Sequence, residues 1–248
     1  MIKFERCDVA AIQEMKADYL KSLIAPMDGM WEVGFINPGP HWEIRFNGNS
    51  AGYYAANEEG VLLQFYVRPA FEQHGRSLFD TIIAQKAITK ATVSTIDPIF
   101  LSLSLDVQKK IVVHTYLYES QSAAQPSQDK DEVTNFRLLL ANELSPTIAF
   151  QQECLQSDQD LSGWLEGYSS NLIARKELFV LSQDNAWIGL GEYRKSDSQK
   201  GIVDLGVMVS PAFRGKGWAA YILSRLHARC NDLGCHAICS TTIDNAGA

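Results

Sequence analysis

The sequence predicts an α/β protein in which one mixed sheet flanked by helices occurs twice in tandem. Three observations carry this. First, Val67 to Gly75 reads V-R-P-A-F-E-Q-H-G and Val209 to Gly217 reads V-S-P-A-F-R-G-K-G, so V-x-P-A-F and a glycine recur. Second, Gly52 matches Gly189 upstream, while Ser94, Thr95 and Asp97 match Ser240, Thr241 and Asp244 downstream. The spacing of these pairs grows steadily along the chain, as two copies of one fold give when the second has longer loops. Third, short apolar strands alternate in both copies with segments of helical periodicity.

The first copy opens with the strand-like I-K-F-E-R, and Val9, Ile12, Met15, Tyr19 and Leu20 recur at a spacing that predicts a helix over 8–24. Strands are expected over 41–46, 51–55 and 61–67. A helix follows over 77–87, with Leu78, Phe79, Ile82 and Ile83 on one face. A strand over 90–95, a helix over 98–109 and a strand over 111–119 close the copy. Glu119 to Asp131 reads E-S-Q-S-A-A-Q-P-S-Q-D-K-D, which is polar, proline-interrupted and without apolar periodicity, the character of a linker. The expected organisation is a first domain over 1–119, a linker over 120–131 and a second domain over 132–248.

The second copy repeats the order with a strand over 135–141, a helical region within 145–175, strands over 178–182, 187–193 and 202–209, a helix over 217–232 and a strand over 236–240. Ala219, Ile222, Leu223, Leu226, Cys230 and Leu233 fall on one helical stripe, and Gly234 stops it. In the first copy Asp97 is followed by a helix and a strand that reach Glu119; its match Asp244 is followed only by Asn245 to Ala248. The second sheet is therefore expected to lack its last strands and to leave an edge prone to association. The natural chain is expected to continue beyond Ala248, the alternative being that another segment covers the edge.

A formal charge of −7 argues against a nucleic-acid surface, which needs clustered Lys and Arg. The N-terminus carries charges where a signal peptide has an apolar core, and no apolar run approaches a membrane span, so neither nucleic acid nor membrane is an expected partner and the location is expected to be cytoplasmic. Cys230, Cys235 and Cys239 crowd the C-terminus beside His227 and His236, which invites a zinc reading. Cys230 lies on the apolar stripe, Cys235 and Cys239 share one strand face, and no close C-x-x-C pair is present. Buried free thiols, and no metal, are expected.

The segment Val209 to Ala219 resembles the pyrophosphate-binding loop of the GNAT N-acetyltransferase superfamily, whose pattern Q/R-x-x-G-x-G/A is met by Arg214, Gly217 and Ala219. It follows a strand and opens an amphipathic helix, and D-N-A-G-A further on is similar to the family's N-x-A-S segment, with Asn245 at the asparagine. The residue types suit the chemistry: a helix N-terminus offers unpaired N–H groups to phosphate, glycine lets backbone approach closely, and Arg214 and Lys216 add positive charge. The resemblance implies acetyl-CoA as co-substrate, held by Val207, Met208, Val209, Arg214, Gly215, Lys216, Gly217, Trp218, Ala219 and Asn245. The backbone N–H groups of Val207 and Val209 are expected to meet the pantetheine arm and the thioester carbonyl. In the first copy Glu72 stands where Arg214 stands in the second, and its loop is shorter, so that copy is expected to be degenerate, with Arg68 and Arg76 as partial compensation.

Acyl transfer to an amine needs the neutral amine, hence a base beside the thioester. Asp204 and Glu192 qualify by position. The tyrosine that family members often place after N-x-A-S has no counterpart before Ala248. The expected function is N-acetylation of a small-molecule or protein amine, with the acceptor unidentified and a homodimer among the candidate partners. The alternative is a non-catalytic acyl-CoA-binding or regulatory module.

Overall fold

A computed structural model describes residues 1–85, 88–120, 134–156 and 160–245, which form two compact units, Met1–Val112 and Val113–Ala248. In the first unit β1 (Ile2–Cys7), β2 (His41–Phe46), β3 (Asn49–Ala56), β4 (Val61–Val67) and β5 (Lys90–Ala91) lie in that spatial order. The first four run antiparallel and β5 joins β4 in parallel. Both faces are covered, so neighbouring tyrosines of β3 are buried on opposite sides. Tyr53 packs with Ile12, Met15 and Tyr19 beside α1 (Gln13–Ser22), while Tyr54 packs with Leu78, Phe79 and Phe100 from α2 (Gly75–Gln85) and α3 (Pro98–Val107). Asp97 caps α3 by accepting the Phe100 N–H at 3.0 Å, with Pro98 at the first helical position.

The second unit holds β6 (Thr115–Glu119), β7 (Asn135–Leu138), β8 (Leu178–Gln183), β9 (Ala186–Lys195), β10 (Ile202–Val209) and β11 (His236–Thr242), in the spatial order β6-β11-β10-β9-β8-β7. On one face Phe150 of α4 (Leu144–Leu155) and Leu172 of α5 (Ser162–Ala174) pack with Val180 and Leu190. On the other, Ile222 and Leu226 of α6 (Trp218–Asp232) pack with Leu181, Tyr193 and Val209. The helical region expected within 145–175 is thus two helices, broken where Gln156 turns left-handed (φ 47°).

The repeat read from sequence has a geometric basis. Gly52 lies opposite Val67 in the first sheet and Gly189 opposite Val209 in the second. A Cβ at Gly52 would sit 2.1 Å from the Tyr66 carbonyl oxygen, and one at Gly189 would sit 2.6 Å from that of Met208. At both places the following strand comes too close for any side chain.

Two expected strands are corrected. The strand expected to close the first copy over 111–119 is shortened to β6 and belongs to the second unit, where it pairs antiparallel with β11, Tyr118 opposite Cys239. By its contacts this strand belongs to the compact unit that begins at Val113. The outer edge of β11 is covered by β6, so the second sheet does not stop at an open β11 edge. The strand expected over 90–95 shrinks to Lys90–Ala91, because the chain leaves β4 after the Thr92 N–H reaches the Leu62 carbonyl. Of the linker expected over 120–131, Ser120 continues the β6–β11 ladder by donating its N–H to Ala237, and the remainder lies outside the described residues.

Candidate active site

The strands β10 and β11 are paired only from Ile202↔His236 to Asp204↔Ile238, and beyond Asp204 they part. The Ser210 N–H donates to the Ile188 carbonyl, so by the alternation of a strand the backbone groups of Met208, Gly206 and Asp204 face β9, while those of Val209, Val207 and Leu205 face the gap. Val207 and Val209 therefore present N–H groups to the gap. Met208 does not: its backbone is taken up by the ladder to Leu190 and its side chain packs toward α4 and α5. On the α6 side the parting strands open into a cavity of about 240 Å³ whose wall includes Leu205, Leu223, His227, Ile238 and Tyr118. Ser120 Oγ and His227 Nε2 are hydrogen-bonded in its wall.

At the wide end of the gap the chain turns through Pro211–Phe213 into α6. Gly215 (φ 74°) and Gly217 (φ 72°) are both left-handed, a conformation that disfavours any Cβ, and Gly217 starts α6 with no side chain capping it. The first-turn N–H groups of this helix, around Trp218 and Ala219, are thus turned toward the loop. Trp218 and Ala219 also pack partly against the core below. Lys216 donates to the Ala212 carbonyl at 3.2 Å and lies 5.4 Å from the Phe213 ring centre. Arg214 is placed differently from its expected role: Nη2 donates to the Cys154 carbonyl at 2.7 Å and Nε to the Val209 carbonyl at 3.2 Å. Its fork ties the loop to the last turn of α4. Asn245, in the turn that follows β11, donates to Thr241 Oγ1 at 3.0 Å.

The corresponding loop of the first unit is a 3-10 helix, Pro69–His74, that runs directly into α2, with Gly75 in ordinary helical conformation (φ −50°). No left-handed glycine occurs there. The two arginines expected to compensate in part are engaged by carboxylates, Arg68 with Glu14 at 3.6 Å and Arg76 with Asp80 and Asp106 at 3.0 and 2.6 Å.

Both candidate bases lie on the face of β9 and β10 that meets α5, and both are engaged. Asp204, 2% exposed, pairs with Arg194 Nη2 at 3.0 Å. Glu192 pairs with Arg194 Nη1 and accepts the Tyr168 hydroxyl at 2.6 Å. Burial opposes charge on Arg194, but Glu192, Tyr168 and Asp204 outweigh it and hold the guanidinium firmly protonated. Burial, and then the Glu192 carboxylate, pushes the Tyr168 hydroxyl well up, so it stays a donor. Gly206 makes the room: a Cβ there would lie 2.6 Å from Arg194 Nη1 and 2.9 Å from Glu192 Oε2. Sequence reasoning missed Tyr168, Arg194 and Gly206. The alternation E-Y-R on β9, which puts Glu192 and Arg194 on one face, is the signal that could have found the pair.

Among the described residues no group of three or more His, Cys, Asp or Glu side chains is placed to hold a metal ion, and no helix is long and apolar enough to cross a membrane. Cys230 is buried in the core under α6, where burial pushes its thiol up.

Two sheets of matching topology, each with a parallel fourth and fifth strand and a helix entered from the fourth, define a tandem α/β protein of the acetyltransferase fold. Residues 8–121 match an acetyltransferase (GNAT) domain model and residues 141–248 match the acetyltransferase (GNAT) family model, so the chain belongs to the GNAT acetyltransferases and carries two such domains. It is similar to an acetyltransferase of the GNAT family from Colwellia psychrerythraea, with 28% identity, a TM-score of 0.87, and coverage of 99% of this chain and 91% of that one. In fold it also resembles a tandem GNAT protein from the clavulanic acid biosynthesis pathway (11% identity, TM-score 0.64, 99% and 91% covered) and a GCN5-related N-acetyltransferase from Sphaerobacter thermophilus (15%, 0.63, 100% and 89%). No significant match was found among curated protein sequences. Family and fold together make the chain an acyltransferase.

Proposed function

We propose that the second domain binds acetyl-CoA and transfers its acetyl group to an amine, and that the first domain is a degenerate copy that does not hold CoA in this way. The observation that carries the reading is the contrast between the two loops: left-handed Gly215 and Gly217 ahead of an uncapped fifteen-residue helix in one copy, and a continuous helix through Gly75 in the other. The first arrangement suits a pyrophosphate, because its N–H groups and the positive end of the helix dipole converge where no side chain intervenes. The gap between β10 and β11 suits a pantetheine arm, which would hydrogen-bond to Val207 and Val209 where β11 has already parted from β10.

In this reading the thioester lies beside Gly206, with Glu192 on the acceptor's side. Glu192 takes a proton from the amine as its nitrogen bonds to the acetyl carbon, the C–S bond breaks, and the thiolate leaves with the electron pair and is protonated afterwards. Asp204 is better suited to hold Arg194, and through it Glu192, than to act as the base. The test combines calorimetric titration with acetyl-CoA and measurement of free thiol across an amine panel. Acetyl-CoA binding with amine-dependent thiol release supports the proposal; binding without release on any amine favours a non-catalytic acyl-CoA-binding module.

A further inference from the structure

We infer that Cys230 and Cys235, both free thiols in this structure, form a thiol–disulfide site that reacts with a low-molecular-weight disulfide and closes into a bridge between the end of α6 and the start of β11. The helix ends in a Schellman motif: Cys235 donates its N–H to the Cys230 carbonyl at 2.8 Å, Gly234 donates to the Asn231 carbonyl at 3.0 Å, and Gly234 is left-handed (φ 64°). Such a turn brings the side chains of its first and sixth residues together, and here both are cysteines. The path from Cα of Cys230 to Cα of Cys235 runs through one carbonyl, one hydrogen bond and one N–Cα bond, about 7 Å if straight and less because it bends at every atom. A disulfide spans Cα separations of about 4.4–6.8 Å.

Both side chains turn the same way. Cys230 is buried in the cluster that holds Tyr193 and Leu226, Cys235 packs half-buried against it, and both thiols lie beside the Tyr193 hydroxyl. Within the second unit the remaining thiols are out of reach of Cys235: Cys239 is four residues further along β11, about 13 Å away at the rise of a strand, and Cys154 packs on the opposite face of the sheet. Cys235, the more exposed of the pair, attacks first. Its thiolate bonds to one sulfur of the small disulfide, whose S–S bond breaks, and one small thiolate leaves with the electron pair. The Cys230 thiolate then attacks the Cys235 sulfur and expels the second. Two protein thiols are oxidised, the small disulfide is reduced to two thiols, and the two protons given up by the cysteines end on those thiols. Burial opposes the Cys230 thiolate while the Tyr193 hydroxyl, donating to it, favours it, so the tyrosine serves the second step. His236 pairs with Ile202 and donates its N–H to the Gly201 carbonyl at 2.8 Å, so the bridge ties α6 to the point where β11 enters the sheet.

The experiment incubates the reduced full chain with oxidised glutathione, without denaturant, and follows it by peptide mapping, mass spectrometry and thermal melting. The expected result is a Cys230–Cys235 cross-link with no glutathione retained on either residue, and melting of the second unit about 5 °C higher, both reversed by dithiothreitol. Cys230→Ser should instead keep one glutathione on Cys235, because no resolving thiol remains, and Cys235→Ser should leave Cys230 unmodified. A lasting glutathione adduct on wild-type Cys235, a bridge from Cys235 to Cys239, or no reaction at either residue in the folded chain overturns the inference. A cross-linked chain that melts no higher than the reduced one overturns it as well, since the turn would then have to distort to form the bond.

Discussion

Arg214 donates to the carbonyl of Cys154 at 2.7 Å, joining the phosphate-type loop to the final turn of α4. That carbonyl is among the last of its helix and has no partner within it. Removing the donor leaves it unsatisfied and frees the loop, so Arg214→Ala should weaken acetyl-CoA binding about tenfold and destabilise the second unit by about 1–3 kcal/mol. Arg214→Glu, which sets a carboxylate against two carbonyl oxygens, should do more damage on both counts. Calorimetry and thermal melting of the two variants provide the check; an unchanged melting temperature in Arg214→Ala would refute the anchoring role.

The two loops respond oppositely to one substitution. Gly217 is left-handed, so Gly217→Ala should cost about 1–2 kcal/mol and weaken acetyl-CoA binding. Gly75 is helical and a Cβ there meets nothing within 4 Å, so Gly75→Ala should stabilise by about 0.5–1 kcal/mol and leave binding alone. Melting curves that move in the same direction for both variants would contradict the assigned conformations.

Gly206→Ala should push Arg194 and Glu192 apart, since the added methyl group lies 2.6 and 2.9 Å from them. We expect thiol release to fall at least about tenfold while circular dichroism stays native-like, with a stability loss of about 1–3 kcal/mol. Full activity in this variant would show that the pair does not serve the reaction.

β6 should protect the second unit. Ser120 donates to Ala237, so by alternation the Tyr118 N–H also points at β11, and Tyr118→Pro removes it. Amide exchange should then accelerate across His236–Thr242 and remain unchanged in β1 to β4. Faster exchange in the first sheet instead would contradict the assignment of this strand.

In the first unit His41 is 2% exposed, and burial, followed by the Lys16 ammonium, pulls its pKa down to about 4 from an ordinary 6.5. The unfolded chain then binds more protons between those values, so this histidine's contribution is fully present above about 6.5 and is lost as pH falls through about 4. The wild-type melting temperature minus that of His41→Phe should fall across this window. A flat difference would show that His41 titrates normally in the folded protein.

The repeat was legible because V-x-P-A-F and the paired glycines answer to a local demand, a backbone carbonyl closer than any Cβ permits. The placement of β6 was not. Tyr116, Leu117 and Tyr118 are all largely exposed, so the strand carries no burial pattern that selects one sheet over the other, and its partner lies far away in sequence. The loop glycines and the gap-facing Val207 and Val209 could be read from the motif and its strand. E-Y-R put Glu192 and Arg194 on one face, but their enclosure with Tyr168 and Asp204 was not legible, because a charged residue in a strand reads as a solvated edge until a helix such as α5 is known to cover that face. Arg214 shows the same limit: its fork suits phosphate and carbonyl alike, and only the end of α4 decides between them.

The central claim is that the second loop alone holds the acyl donor, and a calorimetric titration of the full chain with acetyl-CoA tests it most directly. One binding equivalent per chain is expected, abolished by Gly217→Trp and unaffected by Glu72→Ala; two equivalents, or undiminished affinity in Gly217→Trp, would contradict this.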